Sequence, residues 1–278
     1  MQDIKKKYWI EKFDSFSVSG KDARKFLNGI TTGNILNSED KVIKTCWLTP
    51  NGVLRSLIEI IFLERNLEVI ILAGNTNEII EYFNQIIFPA DDVLLSEPFL
   101  INRIQEIDES NSWRAYQPIF FKTEDSEFET YKNKLNILNS NELKLWKVNQ
   151  AIPSLDMEIN GKNNPLELGL KDLIDFNKGC YLGQETMSKI KNVSSLKQEI
   201  RVWQSLKSNL DLEVVDKNLY TNYAKENSVG KITSVFKVNS QIKGLAMIKR
   251  KYLNEGSYFY SEIFGKIFTN KSVGSIFL

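Results

Sequence analysis

Residues 42–73 leave the chain little choice of fold. KVIKTCWLT and VLRSLIEIIFLE are joined by Pro50-Asn51-Gly52, and LEVIILA follows the Arg65-Asn66 turn. Apolar runs rich in Val, Ile, Leu and Trp form strands when short polar turns bound them, and turns this short lay each strand beside the one before. Three consecutive antiparallel strands are predicted. From Asn75 to Phe88, Ile79, Ile80, Phe83, Ile86 and Ile87 recur at helical spacing, and Pro89 ends the run. A helix is therefore expected to cover one face of the sheet.

Before this block, FSVSGKDARKFLNGI reads as a strand feeding a short helix, with Ser19 and Asp22 forming a variant of the capping pattern. After it, DDVLLSEPFLINRIQEI returns to strand character. SEFETYKNKLNIL suggests an amphipathic helix, and NSNE reads as a polar connection. From about Lys197 onward, short strands such as KQEIRVWQS, SVGKITSVFKV and QIKGLAMIKR alternate with Gly or Asn turns, predicting a compact, barrel-like β module. At 278 residues the chain accommodates two domains or three small ones. The expected division is an N-terminal α+β part (1–95), a middle α+β part (96–196) that interleaves with it, and the β module (197–278).

Composition narrows function by exclusion. The formal charge is +1, from 36 basic and 35 acidic residues, so no global positive field exists to hold nucleic acid by its phosphates. No run approaches the ~18 apolar residues of a membrane span, and MQDIKKKYWIEKFDSF lacks the apolar stretch of a signal peptide. A cytoplasmic protein is expected. There is no histidine, which removes Ser-His-Asp and Cys-His pairs and histidine-ligated zinc together. The two cysteines, Cys46 and Cys180, make neither a CxxC nor a four-thiolate set, so no metal site is expected and both thiols should be free. No GxGxxG or GxxxxGK[ST] supports nucleotide binding.

The chemistry-bearing segment is Lys178-Gly179-Cys180-Tyr181-Leu182-Gly183-Gln184-Glu185. Gly179 and Gly183 suggest a tight loop, with a helix starting near Gly183 and Gln184 and Glu185 in its first turn. Cys180 then sits just ahead of a partially positive helix end, with Lys178 two residues away. Together these are candidates to lower the thiol pKa, although each is worth only ~0.3–1 kcal/mol when exposed. Residue types alone favour the plainer reading, a small buried side chain filling the loop.

This octapeptide resembles the signature of the YgfZ family: lysine, glycine, cysteine, an aromatic, any residue, glycine, glutamine, glutamate. The resemblance extends to SVSGKDARKFLNGITTGNI, CWLTPNGVLRSLIEI, PLELGL, VGKITSVF and GLAMIKR, and is least distinctive over 89–160. It implies an α+β, three-part architecture like that of the aminomethyltransferase T-protein, around a central cavity that holds tetrahydrofolate. It also implies a role in maintaining iron–sulfur enzymes, with those enzymes or cluster-assembly proteins as partners and Cys180 as the functional thiol. Asn28, Thr32, Trp47 and Thr49 are the positions it directs toward the folate, and Lys189, Lys191 and Lys249-Arg250-Lys251 are candidates for its glutamate tail. One departure stands out. True aminomethyltransferases carry an aspartate a few residues after the glycine turn, where this chain reads Arg55-Ser56. Neither residue replaces a carboxylate as base or electrostatic stabiliser, so one-carbon transfer is the alternative reading and a non-catalytic scaffold a third.

Overall fold

The computed structural model describes residues 6–193, 196–205, 217–238, 241–253 and 257–276. A long first strand, β1 (Lys7–Ser19), leads through α1 (Ala23–Ile30) into the meander β2 (Val42–Leu48), β3 (Leu54–Phe62) and β4 (Asn66–Ala73). Then come α2 (Thr76–Ile86), β5 (Leu94–Leu95), β6 (Phe99–Ile107), β7 (Ile119–Lys122), α3 (Ser126–Lys132), β8 (Asn136–Ile137) and α4 (Ser140–Asn149). The strands form one eight-stranded sheet whose main path runs β2-β3-β4-β1-β6-β7, with β5 and β8 also pairing with β1. β1 is its centre, antiparallel to β4 on one side and to β6 on the other. The sheet thus draws strands from both sides of residue 95.

Alternation along the strands divides the interior in two. Phe16, Val18, Trp47, Ile58, Ile60, Leu67 and Val69 pack beneath α1 and α2 through Leu27, Ile79 and Phe83. Trp9, Cys46, Leu48, Leu54 and Leu57 belong to a second core with Trp113, Trp146, Leu168, Tyr181, Leu245 and Met247. That second core joins the sheet to the middle segment and to the C-terminal module. Within it lies a buried pair: Arg103 Nε and Nη2 donate to Glu59 at 2.7 and 2.8 Å, both side chains fully enclosed. Such a fork-to-carboxylate pair offsets part of its desolvation, although Arg103 Nη1 has no hydrogen-bond partner among the described residues. Arg103 stacks over Trp9 and also donates to Gln105, whose amide donates to the Trp113 carbonyl.

After an irregular stretch comes α5 (Gln184–Val193), then β9 (Gln198–Ser205), β10 (Asn218–Tyr220), β11 (Ser228–Val238), β12 (Gln241–Lys249), β13 (Tyr258–Ser261) and β14 (Gly265–Asn270). The last six close into a barrel in the order β10-β11-β12-β9-β14-β13 around Trp203, Ile232, Ile248, Phe264 and Ile267. The fold is α+β with a closed C-terminal barrel.

Three local expectations are corrected. Asp22 makes no side-chain cap on α1; its carboxylate accepts from the Asp92 amide at 3.0 Å and ties down the loop before β5. The helix expected across SEFETYKNKLNIL stops at Lys132, because Asn136 and Ile137 add a short parallel strand to β1. The polar NSNE segment is not a loop but the start of α4. Asn139 accepts from the Asn141 and Glu142 amides at 3.0 Å, and Glu142 accepts from the Asn139 amide, a complete capping box.

Candidate functional site

The turn between β2 and β3 is closed by Thr49, whose carbonyl accepts from the Gly52 amide and whose hydroxyl accepts from the Val53 amide at 3.1 Å. Gly52 (φ 76°) and Gly183 (φ 84°) meet across this turn. A Cβ at Gly183 would lie 2.8 Å from the Thr49 carbonyl oxygen and 3.2 Å from Gly52 Cα. Left-handed backbone and close approach together make glycine necessary at Gly183. The motif is fixed on its other side by the Leu182 amide, which donates to the Gly29 carbonyl at the end of α1.

Between these anchors the octapeptide presents its residues differently. Tyr181 turns inward to the second core; burial pushes its phenol up to about 12, and its hydroxyl has no hydrogen-bond partner among the described residues. Cys180 is exposed and free. This placement excludes the buried, gap-filling reading. Gly179 has open space where a side chain would stand, so the loop geometry does not demand glycine there. Helix α5 begins at Gln184 as expected, and Glu185 in its first turn pairs with Lys189 at 2.6 Å.

Lys178 is engaged by backbone carbonyls. Its ammonium is buried and donates to the carbonyls of Asn28, Thr31 and Gly33 at 2.6, 2.8 and 2.5 Å. Those carbonyls belong to the end of α1 and the turn after it, where helical partners run out. Lys178 therefore works as a C-terminal cap supplied from a distant segment. Cys46, also free, is by contrast fully enclosed, and desolvation pushes its thiol up to about 12.

The four residues directed toward a folate each make contacts within the protein. Asn28 Oδ1 accepts from the Ile35 and Leu36 amides. Thr32 donates to the Leu173 carbonyl at 2.7 Å and accepts from the Cys46 amide at 3.0 Å. Trp47 packs against Tyr82 and Phe83 on the helix-covered side of the sheet. Thr49 closes its own turn. Lys189 is paired with Glu185, Lys191 lies over Phe176, and Lys249 donates to the Ser228 carbonyl. Arg250 pairs with Glu199, and Lys251 lies over Tyr252.

A cavity of about 270 Å³ lies at the end of β4, against residues 152–155. Trp9, Asp14, Gly74, Thr76, Lys147 and Ser154 contribute to its walls. Thr76 donates to Asp14 at 2.8 Å, and Lys147 pairs with Glu11 while lying 4.9 Å over Trp9. Below it, Glu158 accepts from the amide and hydroxyl of Ser154 at 3.1 and 3.0 Å and from Thr233 of β11 at 2.5 Å. Burial raises its carboxyl above the ordinary range. Glu158 thus ties the middle segment to the barrel. Arg55 and Ser56 border this region: Arg55 pairs with Glu78 of α2, and Ser56 donates to the Ala73 carbonyl at 2.9 Å. Sequence reading missed Asp14, Lys147, Ser154 and Glu158. They lie on three separated segments with no local pattern.

The sheet, the irregular middle segment and the closed barrel, joined through the second core, are the architecture of a T-protein-like fold. The chain superposes on the glycine cleavage system aminomethyltransferase T of Bartonella henselae with a TM-score of 0.75, over 99% of this chain and 88% of that one, at 9% identity. In sequence, it is 31% identical over 113 residues to the putative transferase At1g60990, chloroplastic, of Arabidopsis thaliana. That match covers 40% of this chain and 24% of the relative's own length. No family model matches the chain.

Proposed function

We propose that this protein binds tetrahydrofolate or a derivative and supports the assembly or repair of iron–sulfur enzymes through Cys180. The observation that carries the reading is the presentation of Cys180: an exposed, free thiol in a loop anchored at Gly29 and Thr49, beside open space at Gly179. A partner therefore has room to approach the sulfur. The compartment that suits such a thiol is a reducing one, such as the cytoplasm.

The residues at the β4 cavity fit the head of a folate. A pterin is flat, with apolar faces and an edge rich in N–H donors. Leu72, Ile152 and Pro153 supply apolar walls, and the Asp14 carboxylate accepts charge-assisted hydrogen bonds of the kind such an edge makes. At about 270 Å³ the cavity lies near the lower end of small-molecule sites, which run from ~300 Å³ upward, so it suits the head and not the whole molecule.

A second reading, folate-dependent one-carbon transfer, draws on the aminomethyltransferase of like fold and on the relative named a transferase. Arg55-Ser56 weighs against it, since neither residue offers a carboxylate beside the cavity. Calorimetric titration with tetrahydrofolate tests the shared premise. Saturable heat that Asp14→Asn weakens at least tenfold is expected; no heat at millimolar folate would sink both readings. Formation of a one-carbon product from a methylamine substrate would favour the second.

A further inference from the structure

The sheet has a bare end. On β1, Phe16 and Val18 pack beneath the helices, so Ser17 between them points to the other face; on β4 the same holds for Glu68 between Leu67 and Val69. Ser17 and Glu68 are direct partners across the strands. Further along this face the second core covers the sheet, but here a trough of about 600 Å³ lies over β4, β1, β6 and the end of β7. Leu63, Phe99 and Leu100 supply its apolar surface, and Leu63 and Leu100 are 45% and 48% exposed.

Glu68 is out of place in such a surface. Only 6% of the residue is exposed, yet its carboxylate has no hydrogen bond and no ion pair within 4 Å among the described residues. Its oxygens keep contact with water only at the trough, and a carboxylate so placed beside apolar surface is well matched by a cation that brings its own apolar body. Burial raises the Glu68 carboxyl, and the nearby charge of Lys122 opposes that rise without pairing. The other titratable group lining the trough is Glu124, with Glu64 and Arg65 on the adjoining turn, so the lining carries one net negative charge.

We propose that this trough is a binding site for a small organic cation, an amine or guanidinium compound, whose charge meets Glu68 and whose apolar body lies on Leu63, Phe99 and Leu100. The site is separate from the β4 cavity and does not depend on the folate reading.

The test uses phenethylamine and its neutral counterpart phenylethanol, titrated calorimetrically into the full chain at pH 7.5. Saturable binding of the amine is expected, weakened at least tenfold by Glu68→Gln, with no comparable binding of the alcohol. Lys122→Met, which removes the competing cation, is expected to tighten amine binding severalfold. Glu68→Gln is expected to keep or raise the melting temperature of the ligand-free protein, because it removes an unpaired charge from a largely buried residue. Absent amine binding, binding untouched by Glu68→Gln, equal binding of the alcohol, or a lower melting temperature for Glu68→Gln would each overturn the assignment.

Discussion

Lys178 and Cys180 are two residues apart and have opposite tasks. The lysine is turned inward, holding three carbonyls that no helix partner satisfies, while the cysteine is left at the surface. Lys178→Gln therefore tests folding rather than reactivity. Losing the charged donor leaves buried carbonyls short of partners and is expected to cost about 2–3 kcal/mol, measured as a lower urea midpoint at unchanged slope. The thiols give a second expectation. Alkylation of the native protein at pH 8 should modify one cysteine, mapped by mass to Cys180. Cys46, enclosed and with its thiol near 12, should react only after denaturation. Modification of Cys46 at the native rate would contradict the enclosure. The cysteine motif was readable in sequence, but the direction in which each side chain points was not, because rotamer and burial depend on what packs opposite.

At the scale of elements, the motif loop is held by its contact with the β2–β3 turn. Gly183→Ala introduces a side chain at φ 84° into the Thr49 carbonyl, and about 1–3 kcal/mol of destabilisation is expected from backbone strain. It should also impair function in cells while leaving the thiol chemically intact. Gly179→Ala, with open space around it, should fold as well as the parent. Equal stability of the two variants in chemical denaturation would refute the docking. Most elements were legible: the meander from its turns, α2 from its 3.6-residue period and the barrel strands from their alternation. The start of α4 was not, because its cap is polar and reads as a loop until Asn139 and Glu142 are seen to satisfy each other's backbone. β8 escaped because two residues carry no period at all.

For the whole molecule, the proposed role predicts that Cys180→Ala folds normally yet fails to restore iron–sulfur enzyme activity in cells lacking the protein, whereas Cys46→Ala restores it. Full rescue by Cys180→Ala would remove the thiol from the function. Arg55→Asp is not expected to create aminomethyl transfer by itself. Arg55 is engaged with Glu78, and catalysis needs substrate and base positioned together, an effect worth several kcal/mol. Strand identities, the covering helix, the C-terminal β module and the cysteine loop were determined by the sequence itself, since periodicity, turn residues and a contiguous motif are local properties. Only the tertiary structure decided that β1 is the centre of the sheet and which contacts Asn28, Thr32, Trp47 and Thr49 make. It alone brought Asp14, Gly74, Lys147 and Ser154 around one cavity. These residues lie far apart along the chain, and their meeting depends on which distant apolar faces bury one another, a choice that no local pattern encodes.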